Sequence, residues 1–555
     1  MRRRWITGPA VLAALALLTG CVSIPTAGGV TTQQIQPEDP DTLLTLAAPP
    51  AEDATPAEII AGFLRAGRGP QDNYSVARQY LTDDFRKDWI PGARTLISAT
   101  PFAPEPVGDD LYSVTISASA AVDSQGRYRT ASPATSHELE FELVQDDEEQ
   151  WRISAAPDGT VLSADRFASI FAPYELFFFD ASYRHLVPDL RWYRAGSGVA
   201  NRVVDGLLAG PGERMAGALF SAFPTGAVAG DPVIADGVAT IELGPDAGAA
   251  SVAEHRRMQQ QLLQSLRSVL TLREVVLTVG GFEIEVPQGG VQPEVGHLVA
   301  NDPVGGTSDG RVGVLGPEDG VTPLSGVGTQ ADGLGARAGS IVSRDRDHLA
   351  LLTDAGVTLI EAGRDPLVVD TRAGLVAPSL DPLGWTWVVP EDAPAELRAY
   401  SRTGTRADVP GLPVDGRVVS LDVSRDGARL LVLLDTTEGS RLLVLGIQRG
   451  ADLVPTGVVS PWELAIGDIT LLDAAWVDGV TVVALGDGAL NAVDAFQIGG
   501  QRTSLGALSG ARSIVGGNGM DGTRVLDVDG NVLRPGGGTS WEDTGLDAAF
   551  LITQQ

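Results

Sequence analysis

The sequence predicts a multidomain chain in which two α+β domains precede an all-β domain of repeated four-stranded units. Three observations carry this. Helical and strand periodicities alternate up to about residue 290, after which the helical pattern disappears. Nine Asp-Gly pairs, the dipeptide of tight hairpins, fall between Asp309 and Gly530. Similar segments recur there at offsets of roughly 35 to 50 residues. At 555 residues the chain is also longer than one core usually organises.

A leader comes first. Arg2, Arg3 and Arg4 are followed by a stretch from Ala10 to Leu18 that is almost entirely Ala, Leu and Val. Leu18-Thr19-Gly20-Cys21 then closes the run with the only cysteine of the chain. The apolar core is shorter than the roughly 20 residues that span a bilayer, so residues 1–20 read as a signal peptide. The closing tetrapeptide resembles the bacterial lipobox. That resemblance implies cleavage between Gly20 and Cys21, an S-diacylglycerol on the Cys21 thiol and an N-acyl group such as palmitate on its amine. Each buried methylene contributes about 0.8 kcal/mol, so one acyl chain holds marginally and several hold stably. The expected location is the extracytoplasmic face of the cell membrane, held there by the lipid anchor. Cleavage removes three of the 40 basic residues, leaving 37 against 71 acidic ones. Such a charge excludes nucleic acid as a partner. Lys87 is the one lysine among many arginines, a bias that fits a genome rich in G and C, as in actinobacteria.

Residues 21–54 hold Pro25, Pro37, Pro40, Pro49 and Pro50, five acidic residues and no basic one, and read as an acidic Pro-rich stalk. Order is expected from Thr55, where Thr55-Pro56-Ala57-Glu58 combines a cap, a proline at the first helical position and the returning carboxylate of a capping box. Ile59, Ile60, Phe63 and Leu64 supply the buried stripe, and Tyr74, Ala77, Tyr80 and Leu81 a second. The period then changes to two over 112–122, and Leu139, Phe141 and Leu143 alternate with Glu138, Glu140 and Glu142. Asp146, Asp147, Glu148 and Glu149 offer oxygen ligands in number, but adjacent residues on a tight turn point apart, so they read as a solvated hairpin turn. Helices ahead of a curved antiparallel sheet make 55–160 resemble the nuclear-transport-factor-like cone, a fold that carries no activity by itself.

Residues 165–290 form the second unit. A strand over 174–179 leads to a helix with Val203, Val204, Leu207 and Leu208 on one face, stopped at Gly210-Pro211. Phe223-Pro224-Thr225-Gly226 follows, then a strand pair turning at Asp236-Gly237. A helix capped by Ser251 and Glu254 shows Met258, Leu262, Leu266, Val269 and Leu270 on one side. A strand over 275–279 ends at Gly280-Gly281. This order resembles the GerMN domain, which implies a module for protein or wall contacts rather than catalysis. Residues 291–310 read as a linker.

The all-β region, 311–555, is expected to be a β-propeller of five to seven blades. Ser343 with Asp345 and Leu349, Ser379 with Asp381 and Trp385, and Ser424 with Asp426 and Leu430 repeat one pattern, and Leu472 to Trp476 is a looser copy. The Ser-x-Asp step resembles turns of other bacterial propellers in which the acid caps a loop before an inner strand.

Apparent motifs of chemistry weaken in context. Gly306-Thr307-Ser308-Asp309-Gly310 fits Gly-x-Ser-x-Gly but has no following helix. Gly517 to Gly522 fits Gly-x-Gly-x-x-Gly but runs into a strand. Asp527 to Asn531 hints at a calcium loop, yet Gly538 stands where the bidentate Glu is needed. His137, His185, His255, His297 and His348 never fall in zinc-ligand spacing. No catalytic residue, cofactor site or metal site is expected.

Taken in order, lipobox, acidic stalk, cone, GerMN-like domain and propeller resemble the actinobacterial lipoprotein LpqB family over nearly the whole chain. The resemblance implies an accessory lipoprotein, not an enzyme, that modulates an extracytoplasmic partner. The implied partner is the extracytoplasmic domain of the sensor histidine kinase of an MtrA–MtrB-type two-component system. The alternative expectation is an envelope enzyme or small-ligand receptor using the cone pocket or the propeller channel.

Overall fold

A computed structural model describes residues 48–554 apart from 70, 288, 297–301, 318–319 and 343–345. No helix among the described residues is long and apolar enough to cross a membrane.

The first domain opens with the helix Pro56–Ala66. Thr55 is its cap, with Glu58 N donating to Thr55 Oγ1 and Thr55 N donating to the Glu58 carboxylate. Ile59, Ile60, Phe63 and Leu64 enter the core beneath it, with Trp89, Phe141 and Ile153. Strands Trp151–Ala155, Tyr128–Gln145, Leu111–Asp123, Arg94–Ser98 and Thr160–Ser163 lie side by side. The first four pair antiparallel and the last runs parallel to its neighbour. Leu139, Phe141 and Leu143 point inward while the intervening glutamates face solvent. Asp146 Oδ1 accepts from Glu148 N and Gln150 N, so the acidic quartet is the turn between paired strands. The last stretch of the span read as stalk lies against this domain: Tyr80 donates its hydroxyl to Ala48 O at 2.9 Å, and Ala54 packs on the core.

The second domain holds two sheets. Phe171–Phe179 and His185–Arg194 pair antiparallel, and Glu294–Val295 adds in parallel beside His185 and Leu186. The other sheet orders Phe282–Glu283, Glu274–Val279, Val238–Glu242 and Val233–Ala235. Asp236 and Gly237, at φ of 51° and 76°, form the tight turn the dipeptide favours. The helix Val252–Leu266 has the expected Ser251–Glu254 box and buries Met258, Leu262 and Leu266. Two polar residues on the same buried face tie it down: Gln261 donates to Phe177 O and accepts from Ala222 N, and Ser265 Oγ accepts from Phe177 N.

Among the described residues the third domain is a propeller of six blades. Blades two to six span 338–370, 379–407, 417–464, 471–508 and 511–547. Blade one is assembled from both ends of the region: the C-terminal strand Phe550–Gln554 pairs antiparallel with Val304–Gly306, which pairs in turn with Val312–Leu315. Phe550–Gln554 also runs parallel to Ala338–Ile341 of blade two, which closes the ring. Three boundaries therefore move from the sequence reading. The first sheet reaches Ser163 rather than ending at 160, and the span 291–310 contains strands of both flanking domains. The propeller begins at 304, since 311 would omit the strand that receives the C-terminus.

Short polar side chains on the innermost strands join successive blades. Ser340 accepts from Leu380 N, Ser379 from Val423 N, Asp422 from Trp476 N and Asp473 from Ile514 N, at 2.9 to 3.1 Å. Each bond satisfies a backbone donor that no strand of its own sheet reaches. Ser343 and Asp345 lie outside the described residues; the acids of the other two Ser-x-Asp steps do cap turns, but after the innermost strand rather than before it. Asp381 accepts from Leu383 N and Trp385 N, and Asp426 from Ala428 N.

Candidate functional site

Gly20 and Cys21, the residues of the expected cleavage and lipidation, lie outside the described residues, as does His297. The other histidines are kept apart by the fold. His137 sits partway along the first domain's long strand, in register with Ile116, and His255 is buried with Nε2 2.9 Å from Ala247 O. His348 is buried in blade two, where burial, then the Arg402 charge, lowers its pKa to about 4. His185 lies 3.7 Å from both Asp180 and Glu294. Burial works against its charge, but the surrounding carboxylates outweigh it and raise its pKa. Among the described residues no group of three His, Cys, Asp or Glu is placed to hold a metal ion. The segment Gly306 to Gly310 is the turn between two strands of blade one, with Thr307 N donating to Arg311 O. Asp527 Oδ1 accepts from Asp529 N and Asn531 N, which makes that segment a hairpin as well.

What the structure brings together is a junction of all three domains, centred on the strand His185–Arg194. Trp192 donates from its backbone N to Gly126 O of the first domain at 2.7 Å, and from its indole to Gly499 O of blade five at 2.9 Å. Its ring packs against Tyr128 and Phe167. Gly126 stands at φ 75°, and a Cβ there would meet the Tyr193 ring at 2.6 Å, so the turn needs glycine on both counts. Arg191 is fully buried. It makes a two-pronged pair with Asp189 and donates to Gln125 O. Burial opposes the Arg191 charge, and the Asp189 carboxylate outweighs that cost, holding the guanidinium above its ordinary pKa. Burial pushes the neighbouring Tyr193 hydroxyl up to about 12.

Docking continues on blade four. Met215 and Ala218 of the second domain approach Gly446 so closely that a Cβ there would fall 2.7 Å from Ala218 Cβ. One buried cluster runs from Met215 and Leu219 into Leu442, Val444 and Trp476 of blades four and five. The propeller is therefore not a separate unit: its fourth and fifth blades complete their packing against the GerMN-like domain. Sequence reasoning missed this junction. Arg191-Trp192-Tyr193 at a strand end is a visible concentration of anchoring side chains, but nothing local marks the turns at Gly126 and Gly499 that receive them.

Elsewhere the second domain is open. Six of the 13 exposed large apolar side chains among the described residues belong to it: Val228, Val233, Ile234, Val252, Phe282 and Val291. The strand Val233–Ala235 is exposed throughout and forms one edge of its sheet; Phe282–Glu283 forms the other.

Family models match in the same order as the domains. The lipoprotein LpqB N-terminal domain matches residues 49–168, the sporulation and spore germination family 175–285, and the lipoprotein LpqB beta-propeller domain 316–547. A Streptomyces avermitilis protein described as lipoprotein LpqB is 26% identical, covering 98% of this chain and 97% of its own length. One from Thermobifida fusca is 27% identical, covering 89% and 90%. One from Cutibacterium acnes is 29% identical, covering 50% and 48%. Among solved structures, the first GerMN domain of the Bacillus subtilis sporulation protein GerM is 17% identical, with a TM-score of 0.19 over 22% of this chain and 94% of that one. A chain of a nidogen/laminin complex is 9% identical, with a TM-score of 0.32 over 44% and 92%.

Proposed function

The chain belongs to the lipoprotein LpqB family, and from that membership we propose that it binds and modulates the extracytoplasmic domain of an MtrA–MtrB-type sensor histidine kinase. In this reading Cys21 carries the lipid that holds it on the outer face of the cell membrane, and it acts as an accessory protein without catalysis of its own. The observation that carries the proposal is the contrast within the GerMN-like domain. One side is locked onto the propeller through Trp192 and Met215, while its sheet edges present Val233, Ile234 and Phe282 to solvent. Edge strands leave backbone donors and acceptors that another protein's strand can pair with, and apolar side chains beside them supply anchors. The lipid confines this surface near membrane proteins, which raises its effective concentration and makes modest contacts sufficient.

Binding is favoured over catalysis because two buried carboxylates of the propeller, Asp473 and Asp422, are engaged in its construction. Asp473, raised to about 6 by burial, accepts from Ile514 N and Ala474 N. Asp422 accepts from Ser379 and Trp476. A general base needs a free lone pair facing substrate, and these carboxylates face neighbouring blades.

Val233→Asp and Phe282→Asp test the reading without touching the core, since these side chains are 67% and 81% exposed. Either change is expected to alter phosphorylation of the cognate response regulator while protein level and membrane retention stay the same. Unchanged phosphorylation in both strains contradicts it.

A further inference from the structure

The junction contains a cleft of about 440 Å³ that all three domains line. Arg127 and Arg129 come from the first domain, Arg214 from the second and Arg429 from the propeller. Their acidic neighbours in the wall are Asp189 and Glu213, and Asp189 is already taken by the buried Arg191 at 2.6 Å. Arg127 reaches Asp123 only at 3.8 Å, and its buried Nε has no hydrogen-bond partner. Arg429 is buried to 3% side-chain exposure and pairs with Asp426 through Nη2, yet its Nε is likewise unpartnered. Among the described residues Arg129 and Arg214 have no carboxylate partner; Arg214 lies over the Trp462 ring at 5.4 Å.

This arrangement runs against the composition. Acidic residues outnumber basic ones 71 to 40, so a carboxylate partner for every guanidinium is easy to supply. Here four guanidinium groups from three domains line one cleft instead, and the Arg129 charge disfavours those of Arg127 and Arg214. Burial lowers the pKa of Arg214 and the Arg129 charge lowers it further; burial and Arg191 do the same to Arg127. A bound anion reverses that penalty by pairing with several of them at once. The volume lies within the roughly 300–1,000 Å³ of small-molecule sites, which also favour domain interfaces. A protein segment would need a longer groove.

We propose that the cleft binds the phosphate of a small anionic molecule, with Arg129 and Arg214 taking its oxygens at the mouth and Arg127 and Arg429 facing it from the wall. Phosphate suits the site better than a lone carboxylate, because it brings up to two charges and three acceptor oxygens to a set of converging N–H donors. Occupancy would tie the three domains together, so ligand binding would stabilise the assembled chain by mass action.

The test uses the whole ectodomain, residues 22–555, with inorganic pyrophosphate as probe, followed by calorimetry and thermal unfolding. One saturable site and a raised Tm are expected. Arg129→Gln and Arg214→Gln are each expected to weaken binding about tenfold, the loss of one charge-assisted contact, while Tm without probe stays unchanged. Arg534→Gln, on an exposed pair with Glu542 in blade six, is the control and leaves affinity intact. A second arm replaces pyrophosphate with phosphatidylglycerol vesicles. Vesicle binding that depends on Arg129 and Arg214, without pyrophosphate binding, supports the phosphate site and makes a lipid headgroup its source. Binding to neither probe, or binding that survives in the double variant, overturns the proposal. Capture of polyglutamate with neither phosphate probe bound also overturns it, in favour of an acidic protein segment.

Discussion

Cys21→Ser is expected to abolish lipid labelling and leave the protein as an uncleaved or mislocalised precursor. Diacylglyceryl transfer needs a thiolate nucleophile, and serine's hydroxyl is un-ionised at physiological pH. There is no second cysteine to substitute for it. Several acyl chains at about 0.8 kcal/mol per buried methylene are the whole membrane attachment in this account, so the effect is all or none. Metabolic labelling with a radioactive or clickable fatty acid, together with intact mass, reads it directly. Equal membrane retention at unchanged mass would remove the anchor from the account.

The second large effect is inside the propeller. Arg449 of blade four donates to Asp381 of blade three at 2.7 Å, and the two side chains are 2% and 0% exposed. Asp381 also accepts from the Trp387 indole and from Leu383 N and Trp385 N, so one carboxylate holds a turn, an aromatic core residue and the next blade. Arg449→Leu leaves that carboxylate buried without its cation, a change that costs about 3–5 kcal/mol. For a domain of this size the expected fall in Tm is roughly 10 °C. Adding Asp381→Asn should recover part of it, because the second substitution removes the stranded charge and the two effects are not additive. Arg534→Leu breaks an exposed pair with Glu542 and should move Tm little. Equal effects from the buried and exposed pairs would contradict this reading of blade three.

Local chemistry was the legible part of the sequence. Thr55 with Glu58 and Ser251 with Glu254 announce helix starts because cap and returning carboxylate sit three residues apart, and both boxes form. Asp236-Gly237 announces a turn because both residues tolerate positive φ. The alternation around Phe141 reports the burial of one sheet face directly. What stayed hidden depends on partners distant in sequence. Blade one escaped because its innermost strand, Phe550–Gln554, lies more than 200 residues from Val304–Gly306, so no repeat unit exists to be recognised. Blade six is contiguous, but its second strand Arg524–Asp527 has only Val525 and Leu526 where Arg429–Thr436 and Thr481–Gly486 of blades four and five carry longer apolar runs. The junction was invisible for the same reason as blade one: Trp192 finds Gly126 and Gly499 only in the fold. The repeated acids were seen but placed before the inner strand, since spacing alone cannot tell which of four strands in a blade is innermost.

The central claim is that the exposed edges of the GerMN-like domain meet a membrane sensor kinase while the lipid holds the chain beside it. Site-specific photo-crosslinking in intact cells, with the photoreactive residue placed at Phe282 or Val233, tests this most directly. The account predicts one prominent adduct whose partner is the histidine kinase, lost when Cys21 is replaced by serine. Adducts only with cell-wall enzymes, or a kinase adduct equally strong from an exposed position on the far side of the ring such as Val368 of blade two, would contradict it.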